Sequence, residues 1–214
     1  MEKVKLEKIV AQKLLQINAI KINAQNPFTW ASGIVSPIYC DNRLTLSDVF
    51  VRDVVKKGLA SLARGFGEFD VIAGVATAGI PHGAILADFL NCPFIYVRDK
   101  AKGHGKQNKI EGKLGKDEKV LMVEDLISTG GSSLKAVDAI RENGNEVVGV
   151  LAIFTYGIPD ADVNFKKANC PYKTLSNYNV LLHEALNLNL IVQEDLAELQ
   201  RWSKDPKNWF SSNN

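Results

Sequence analysis

Hydrophobic positions near the amino end recur with a helical period. Leu6, Ile9, Val10, Leu14 and Ile17 are separated by charged residues, which predicts an amphipathic helix over residues 4–20. A mixed stretch follows from Asn26 to Leu46, with Pro27, Gly33 and Pro37 among aromatic and polar residues, and reads as loop. A second helical pattern covers Ser47 to Ala63. From Phe69 the pattern changes. FDVIAGVATAGIPHGAILADFL is a short apolar run, a Gly/Thr/Ala turn and a small-residue helix. PFIYVR (93–98) and KVLMVED (119–125) are further strands, and the unbroken apolar run in the second suits a strand covered on both faces. Ser132 or Ser133 can cap the next helix, whose stripe is Leu134, Val137 and Ile140 and whose stop is Gly144. Glu146 to Thr155 is another buried strand, and the tail from Thr174 reads as helical through Leu181, Leu182, Leu186, Leu196 and Leu199. Strands alternating with helices at this spacing predict an α/β fold. Its sheet should be mainly parallel and doubly wound, with right-handed crossovers and helices on both faces.

Composition sets the boundaries. A chain of 214 residues supports one good-sized core and is short for two, so a single domain over 1–214 is expected. The 46% hydrophobic and 23% charged content is that of a folded, water-soluble protein. A net charge of +2 is too small for a protein that neutralises many phosphates, so no nucleic-acid partner is expected. Cys40, Cys92 and Cys170 are odd in number and lack metal-ligand spacing, so they read as reduced thiols in the cytoplasm. The amino-terminal segment has no uninterrupted apolar stretch, and no segment is long enough to span a bilayer, so no membrane partner is expected.

In open parallel sheets ligands bind beyond the carboxyl ends of the strands, which directs attention to the turns there. The strongest is VLMVEDLISTGGSS. Two adjacent carboxylates, Glu124 and Asp125, close the strand; hydroxyls and glycines follow; then a helix begins. Gly130 and Gly131 let backbone amides approach an anion, and Thr129, Ser132 and Ser133 add donors. The helix start supplies partial positive charge, so the turn can cradle a 5′-phosphate. The carboxylates would repel that phosphate unless they face ribose hydroxyls or a cation, which points to a sugar phosphate with Mg²⁺. Turn geometry alone explains the glycines but not this order of acids, hydroxyls, glycines and helix start. GxxxxGK[ST] and G-x-G-x-x-G are both absent. A second feature follows Arg98: Lys100, Lys102, His104, Lys106 and Lys109 lie in a glycine-bearing loop, offering cations where a diphosphate would leave.

The segment around Glu124 resembles the phosphoribosyl diphosphate motif of the type I phosphoribosyltransferases. Three further stretches narrow the resemblance to the orotate phosphoribosyltransferase family. FTWASGIVSPIYCDNR (Phe28 to Arg43) looks like that family's acceptor-binding segment, GVATAGIP (Gly74 to Pro81) like its diphosphate loop, and YVRDKAKGHGKQNKIEG (Tyr96 to Gly112) like its catalytic lid. With TLSNY near Thr174, the resemblance spans most of the chain.

The resemblance implies a type I phosphoribosyltransferase fold. Its core sheet would cover about 69–157 and its flexible lid 99–112. A small hood would form from about 1–45 with the carboxyl-terminal tail. It implies transfer of the phosphoribosyl group from phosphoribosyl diphosphate to orotate, with Mg²⁺ held mainly through the diphosphate rather than by the chain. The catalytic residues would be Lys102, His104, Glu124 and Asp125. Arg98, Lys102 and His104 would hold the diphosphate, helped by the backbone of Thr77, Ala78 and Gly79. Glu124 and Asp125 would hold ribose hydroxyls, and Leu126, Ile127, Ser128, Thr129, Gly130, Gly131 and Ser132 would also bind phosphoribosyl diphosphate. Ser128 would also touch orotate, with Tyr39 and Phe28 flanking its ring. A homodimer is implied, with the lid reaching the partner's active site.

This chain departs from the pattern at four places. Ala31 and Ala78 stand where some members have lysines, Asp99 stands where others have a basic residue, and near Tyr156 this chain lacks the arginine with which some members contact the acceptor. Those contacts cannot be carried over. Three other activities compete: a purine or uracil phosphoribosyltransferase, a nucleic-acid-binding regulator on the same fold, and a phosphoribosyl diphosphate synthase. The segment from Phe28 to Arg43 disfavours the first, the missing DNA-binding extension the second, and the missing ATP site the third. His82 and His183 are assigned no role.

Overall fold

A computed structural model describes residues 3–30, 33–99 and 109–209. In chain order the elements are α1 (Lys3–Gln16), β1 (Ile20–Ile22), β2 (Phe28–Thr29), β3 (Val35–Ser36), β4 (Ile38–Cys40), α2 (Val49–Ala63), β5 (Val71–Val75), α3 (Gly79–Leu90), β6 (Phe94–Val97), β7 (Ile110–Glu111), β8 (Lys119–Ile127), α4 (Gly131–Glu142), β9 (Glu146–Thr155), α5 (Pro159–Lys167), β10 (Tyr172–Asn177), α6 (Tyr178–Asn187) and α7 (Gln193–Lys204). A short 3₁₀ turn, Asn42–Leu46, joins β4 to α2.

Six strands form one sheet in the order β10-β9-β8-β5-β6-β7. All neighbouring pairs run parallel except β6 and β7. The apolar runs are buried on both faces because successive side chains point to opposite sides. In β8, Leu121 and Val123 join the core cluster shared with α1, α2 and α3. Val120 and Met122 join the one shared with α4 and α5. The helices are punctuated by their own sequence. Asp48 accepts from Val51 N at 2.9 Å to start α2, Asn177 accepts from Val180 N at 3.1 Å to start α6, and Asn91 ends α3 in the left-handed conformation.

Two readings of the sequence are corrected. The tail is not helical from Thr174: Tyr172–Asn177 is a strand paired with β9, so the sheet runs on past the stretch of about 69–157. Only Leu175 and Ser176 of this strand are fully buried, which leaves too little alternation to read as one. The helix after the acidic turn starts at Gly131 with Gly130 as N-cap and no side-chain cap, so neither Ser132 nor Ser133 caps it.

Over the carboxyl end of the sheet lie two small antiparallel ribbons, β1 with β4 and β2 with β3. Aromatic packing fastens them down. Trp30 stacks on Tyr156 at 4.9 Å between centroids, Trp202 meets Trp30 and Tyr156 edge-on, and Trp202 Nε1 donates to Val35 O at 3.3 Å.

Candidate active site

The chain leaves β5 through α3 toward β6 and leaves β8 through α4 toward β9, in opposite directions. The crevice therefore opens between the carboxyl ends of β5 and β8. The two turns are pressed together. A Cβ on Gly79 would collide with the Val123 carbonyl oxygen, and one on Gly74 would come within 2.8 Å of Ile80 Cα. Only glycine lets the turn of Thr77, Ala78 and Gly79 sit this close to the end of β8. Ala78 is the N-cap of α3 and supplies no side-chain cap.

At the end of β8 the two carboxylates occupy different surroundings. Glu124 is only 5% exposed; its Oε1 accepts from Asp125 N at 3.0 Å and its Oε2 from Ser133 Oγ at 3.3 Å. Burial, then the charge of Asp125, pushes the Glu124 carboxyl well above its ordinary range. Burial raises Asp125 as well. A close acidic pair with both members pushed upward holds its full double charge only against hydroxyl donors or a cation.

Beyond Ile127 the chain bends through Ser128 and Thr129 to Gly130, whose φ of 82° is left-handed. A Cβ on Gly130 would lie 2.6 Å from Phe165 Cε2. From the same helix Asn164 Nδ2 donates to Thr129 O at 3.0 Å, so α5 holds this loop in shape. Gly131 and Ser132 are exposed while Ser133 is turned inward to Glu124. The first turn of α4 thus presents amides without a side-chain cap, an arrangement suited to an anion.

Alongside lies a cleft lined by Ala76, Arg98, Asp99, Lys109, Ser132 and Lys135, among others. Arg98 Nη1 is 3.1 Å from Glu111 Oε1, and Arg98 N donates to Lys109 O at 2.8 Å. On the other side, a cavity of about 300 Å³ is walled by Thr29, Trp30, Tyr39, Cys40, Leu126, Ser128 and Tyr156. Among the described residues the lining contains no cationic side chain. Phe28 packs against Tyr39, centroids 5.8 Å apart, rather than lining the cavity.

The structure brings Arg98 and Ser132 to one cleft and Ser128 and Tyr39 to the aromatic cavity; Glu124 and Asp125 lie near the end of the strand that leads into Ser128–Ser132, and the turn after Thr77 packs on that strand at Val123. Lys102, His104 and Ala31 lie outside the described residues. Trp30, Asn42, Lys135 and Asn164 were not singled out from the sequence. Trp30 stood inside the acceptor segment and could have been read beside Tyr39. His82 is buried with Nε2 lacking a partner, and burial pulls its pKa down to about 4, so it stays neutral.

A parallel sheet with an acidic strand end, an uncapped glycine turn and a separate aromatic cavity is the arrangement of a phosphoribosyl-transferring protein. Residues 51–180 match the model of the phosphoribosyl transferase domain family. The chain is 54% identical over 205 residues to the orotate phosphoribosyltransferase of Listeria innocua serovar 6a, covering 95% of this chain and 98% of that protein. It is 55% identical to that of Bacteroides fragilis, covering 95% and 97%. Among solved structures it resembles the orotate phosphoribosyltransferase of Aeropyrum pernix, with TM-score 0.75 and 28% identity over 86% of this chain and 99% of that one. It also resembles the UMP synthase of Leishmania donovani, with TM-score 0.80 and 26% identity over 92% of this chain, though it spans only 42% of that longer protein. The chain belongs to the phosphoribosyltransferase family and, within it, to the orotate phosphoribosyltransferases.

Proposed function

We propose that the chain transfers a phosphoribosyl group from phosphoribosyl diphosphate to orotate, giving orotidine 5′-monophosphate and diphosphate, a step of pyrimidine nucleotide synthesis. The observation that carries this reading is the adjacency of two dissimilar sites. A phosphate-shaped turn with buried acids opens beside an aromatic cavity, with Leu126 and Ser128 joining them.

The residues divide the work by their chemistry. The uncapped amides at Gly131 and Ser132, with the hydroxyls of Ser128, Thr129 and Ser132, hold the 5′-phosphate. Glu124 and Asp125 accept hydroxyl donors from the ribose and favour positive charge developing on its ring. Arg98, with Lys109 and Lys135 lining the same cleft, meets the leaving diphosphate, and the amides of Thr77, Ala78 and Gly79 approach it from α3. Lys102 and His104 complete this cationic set from the lid, which we place across a homodimer interface in the partner's site on the strength of the family resemblance. Orotate lies in the aromatic cavity between Tyr39 and the Trp30–Tyr156 stack. Phe28 supports Tyr39 from behind.

Among the described residues no cluster of three or more His, Cys, Asp or Glu side chains forms a metal cage. Two carboxylates at a phosphate site fit Mg²⁺ that arrives with the diphosphate and keeps several waters. Bound there, Mg²⁺ would neutralise charge on the leaving group. The three free cysteines suit a reducing cytoplasm, and no helix among the described residues is long and apolar enough to cross a membrane.

The test is stoichiometric release of diphosphate and loss of orotate, abolished by a chelator and restored by Mg²⁺. Turnover that persists unchanged in excess chelator removes the metal from the reading. Failure to consume orotate removes the acceptor.

A further inference from the structure

Asn42 belongs to neither half of the site, yet it joins them. Its side chain is fully buried, and Nδ2 donates to the backbone carbonyl of Asp125 at 2.8 Å, across 83 positions of chain. The backbone carbonyl of Asn42 accepts from Thr45 Oγ1 at 2.7 Å, which locks the 3₁₀ turn that presents the side chain. The remaining atom, Oδ1, is buried without a donor. An amide that leaves one end unsatisfied in the interior lowers stability relative to an apolar residue of the same shape. Packing alone therefore does not account for an asparagine here. What the apolar residue could not supply is the donor to Asp125.

The position of that donor has a consequence for the two substrates. Two and three residues before Asn42, Cys40 and Tyr39 wall the aromatic cavity. At the other end of the hydrogen bond, Asp125 carries one of the paired carboxylates, and the next residue, Leu126, is again part of the cavity wall. One amide thus fixes the distance between the acceptor wall and the strand end proposed to hold the ribose. Transfer between two bound substrates depends on that distance more steeply than either binding event does, because the reacting atoms must lie within near-attack range.

We infer that Asn42 is a positioning residue: it registers the acceptor pocket against the ribose-holding end of β8. This rests on the functional reading above. Each substrate makes its own contacts within one half of the site, so loss of the register leaves separate binding largely intact and slows the chemical step.

The experiment compares Asn42→Ala and Asn42→Asp with the unaltered protein. Asn42→Ala is expected to bind orotate and phosphoribosyl diphosphate separately within about threefold of normal, and to lose roughly a hundredfold in kcat. Asn42→Asp restores the donor only when its carboxyl is protonated. The charged groups facing that spot are Asp41 and Arg43 on the same turn, Arg52 on α2, and Glu124 and Asp125 on β8, with the Cys40 thiol beside them. All of these are present in the unaltered protein too, so the variant-to-normal activity ratio isolates the new group. The ratio is expected to climb for Asn42→Asp from about pH 8 to about pH 6 and to stay flat for Asn42→Ala.

A kcat within threefold of normal in Asn42→Ala overturns the inference. So does equal loss of binding and turnover, or a flat ratio for Asn42→Asp. If a variant unfolds, the other carries the test through its pH ratio or its kcat. The unaltered protein separates the two readings: if it fails to consume orotate the parent reading fails, and if it consumes orotate while the variants behave normally only the inference about Asn42 fails.

Discussion

Ser133 Oγ lies 3.3 Å from Glu124 Oε2 and donates to it, so the first turn of α4 and the end of β8 meet at one carboxylate. The same Glu124 accepts from the Asp125 amide through its other oxygen. The glycine turn proposed to hold the phosphate and the acidic strand end are thereby held as one unit, and a change at either should be felt at both.

Glu124→Gln is predicted to stabilise the protein while impairing it. Burial and the charge of Asp125 hold the Glu124 carboxyl above its ordinary value of 4.5. Its ionised form therefore costs stability. That cost is absent below the unfolded value, grows as pH rises, and is complete above the folded value. Gln keeps the acceptor for Asp125 N and can donate to Ser133 Oγ. Its Tm should exceed that of the parent at neutral pH by a few degrees, roughly 2–4 °C, with the gap closing toward pH ~4. Turnover should fall at least about tenfold. Thermal melts across pH, paired with initial rates, check both halves; a lower Tm at neutral pH contradicts the burial argument.

Gly130→Ala is predicted to damage both fold and phosphate turn. The left-handed φ costs a non-glycine residue roughly 1–2 kcal/mol, and the contact with Phe165 adds about 1–3 kcal/mol of overpacking. The KM for phosphoribosyl diphosphate should rise more than that for orotate. Shortening Phe165 in the same chain relieves the contact but not the backbone strain, so recovery in denaturant melts should be partial.

Trp30→Leu should act on the acceptor rather than on phosphoribosyl diphosphate, with some loss of the packing that fastens the ribbons. An aromatic face on the cavity wall is worth about 0.5–1.5 kcal/mol to a ring packed against it, so the orotate KM should rise about three- to tenfold while that for phosphoribosyl diphosphate stays put. A change confined to the diphosphate substrate, read in steady-state kinetics, would reverse the assignment of the two sides of the site.

Lys102 lies outside the described residues and is proposed to meet the leaving diphosphate. Lys102→Ala should lower kcat by about a hundredfold. Its Tm should move by less than about 2 °C. Parallel loss of melting temperature and activity would make the lysine a structural residue.

Much of this architecture was legible because it rests on local rules. The strand from Glu146 to Thr155 and the helix ending at Ala63 follow from period and caps. The acidic turn was legible because its chemistry is contiguous in sequence. What could not be read depends on distant pairings. Tyr172–Asn177 becomes a strand only because β9 offers it an edge. Trp30 becomes a wall of the aromatic cavity only by stacking on Tyr156, and Asn42 reaches Asp125 from 83 positions away. Ser132 and Ser133 looked like caps by residue type, but the left-handed Gly130 ends the loop first and Ser133 turns to Glu124 instead. The differing burial of Glu124 and Asp125 likewise appears only once the sheet is assembled.

The ultraviolet absorbance of orotate after mixing the protein with phosphoribosyl diphosphate and Mg²⁺, with adenine, hypoxanthine and uracil as parallel acceptors, tests reaction and acceptor together. The predicted result is rapid loss of orotate absorbance, dependent on Mg²⁺, with the other bases untouched. Turnover of another base in place of orotate would overturn the acceptor assignment, and tight binding of both substrates without any reaction would overturn the transfer itself.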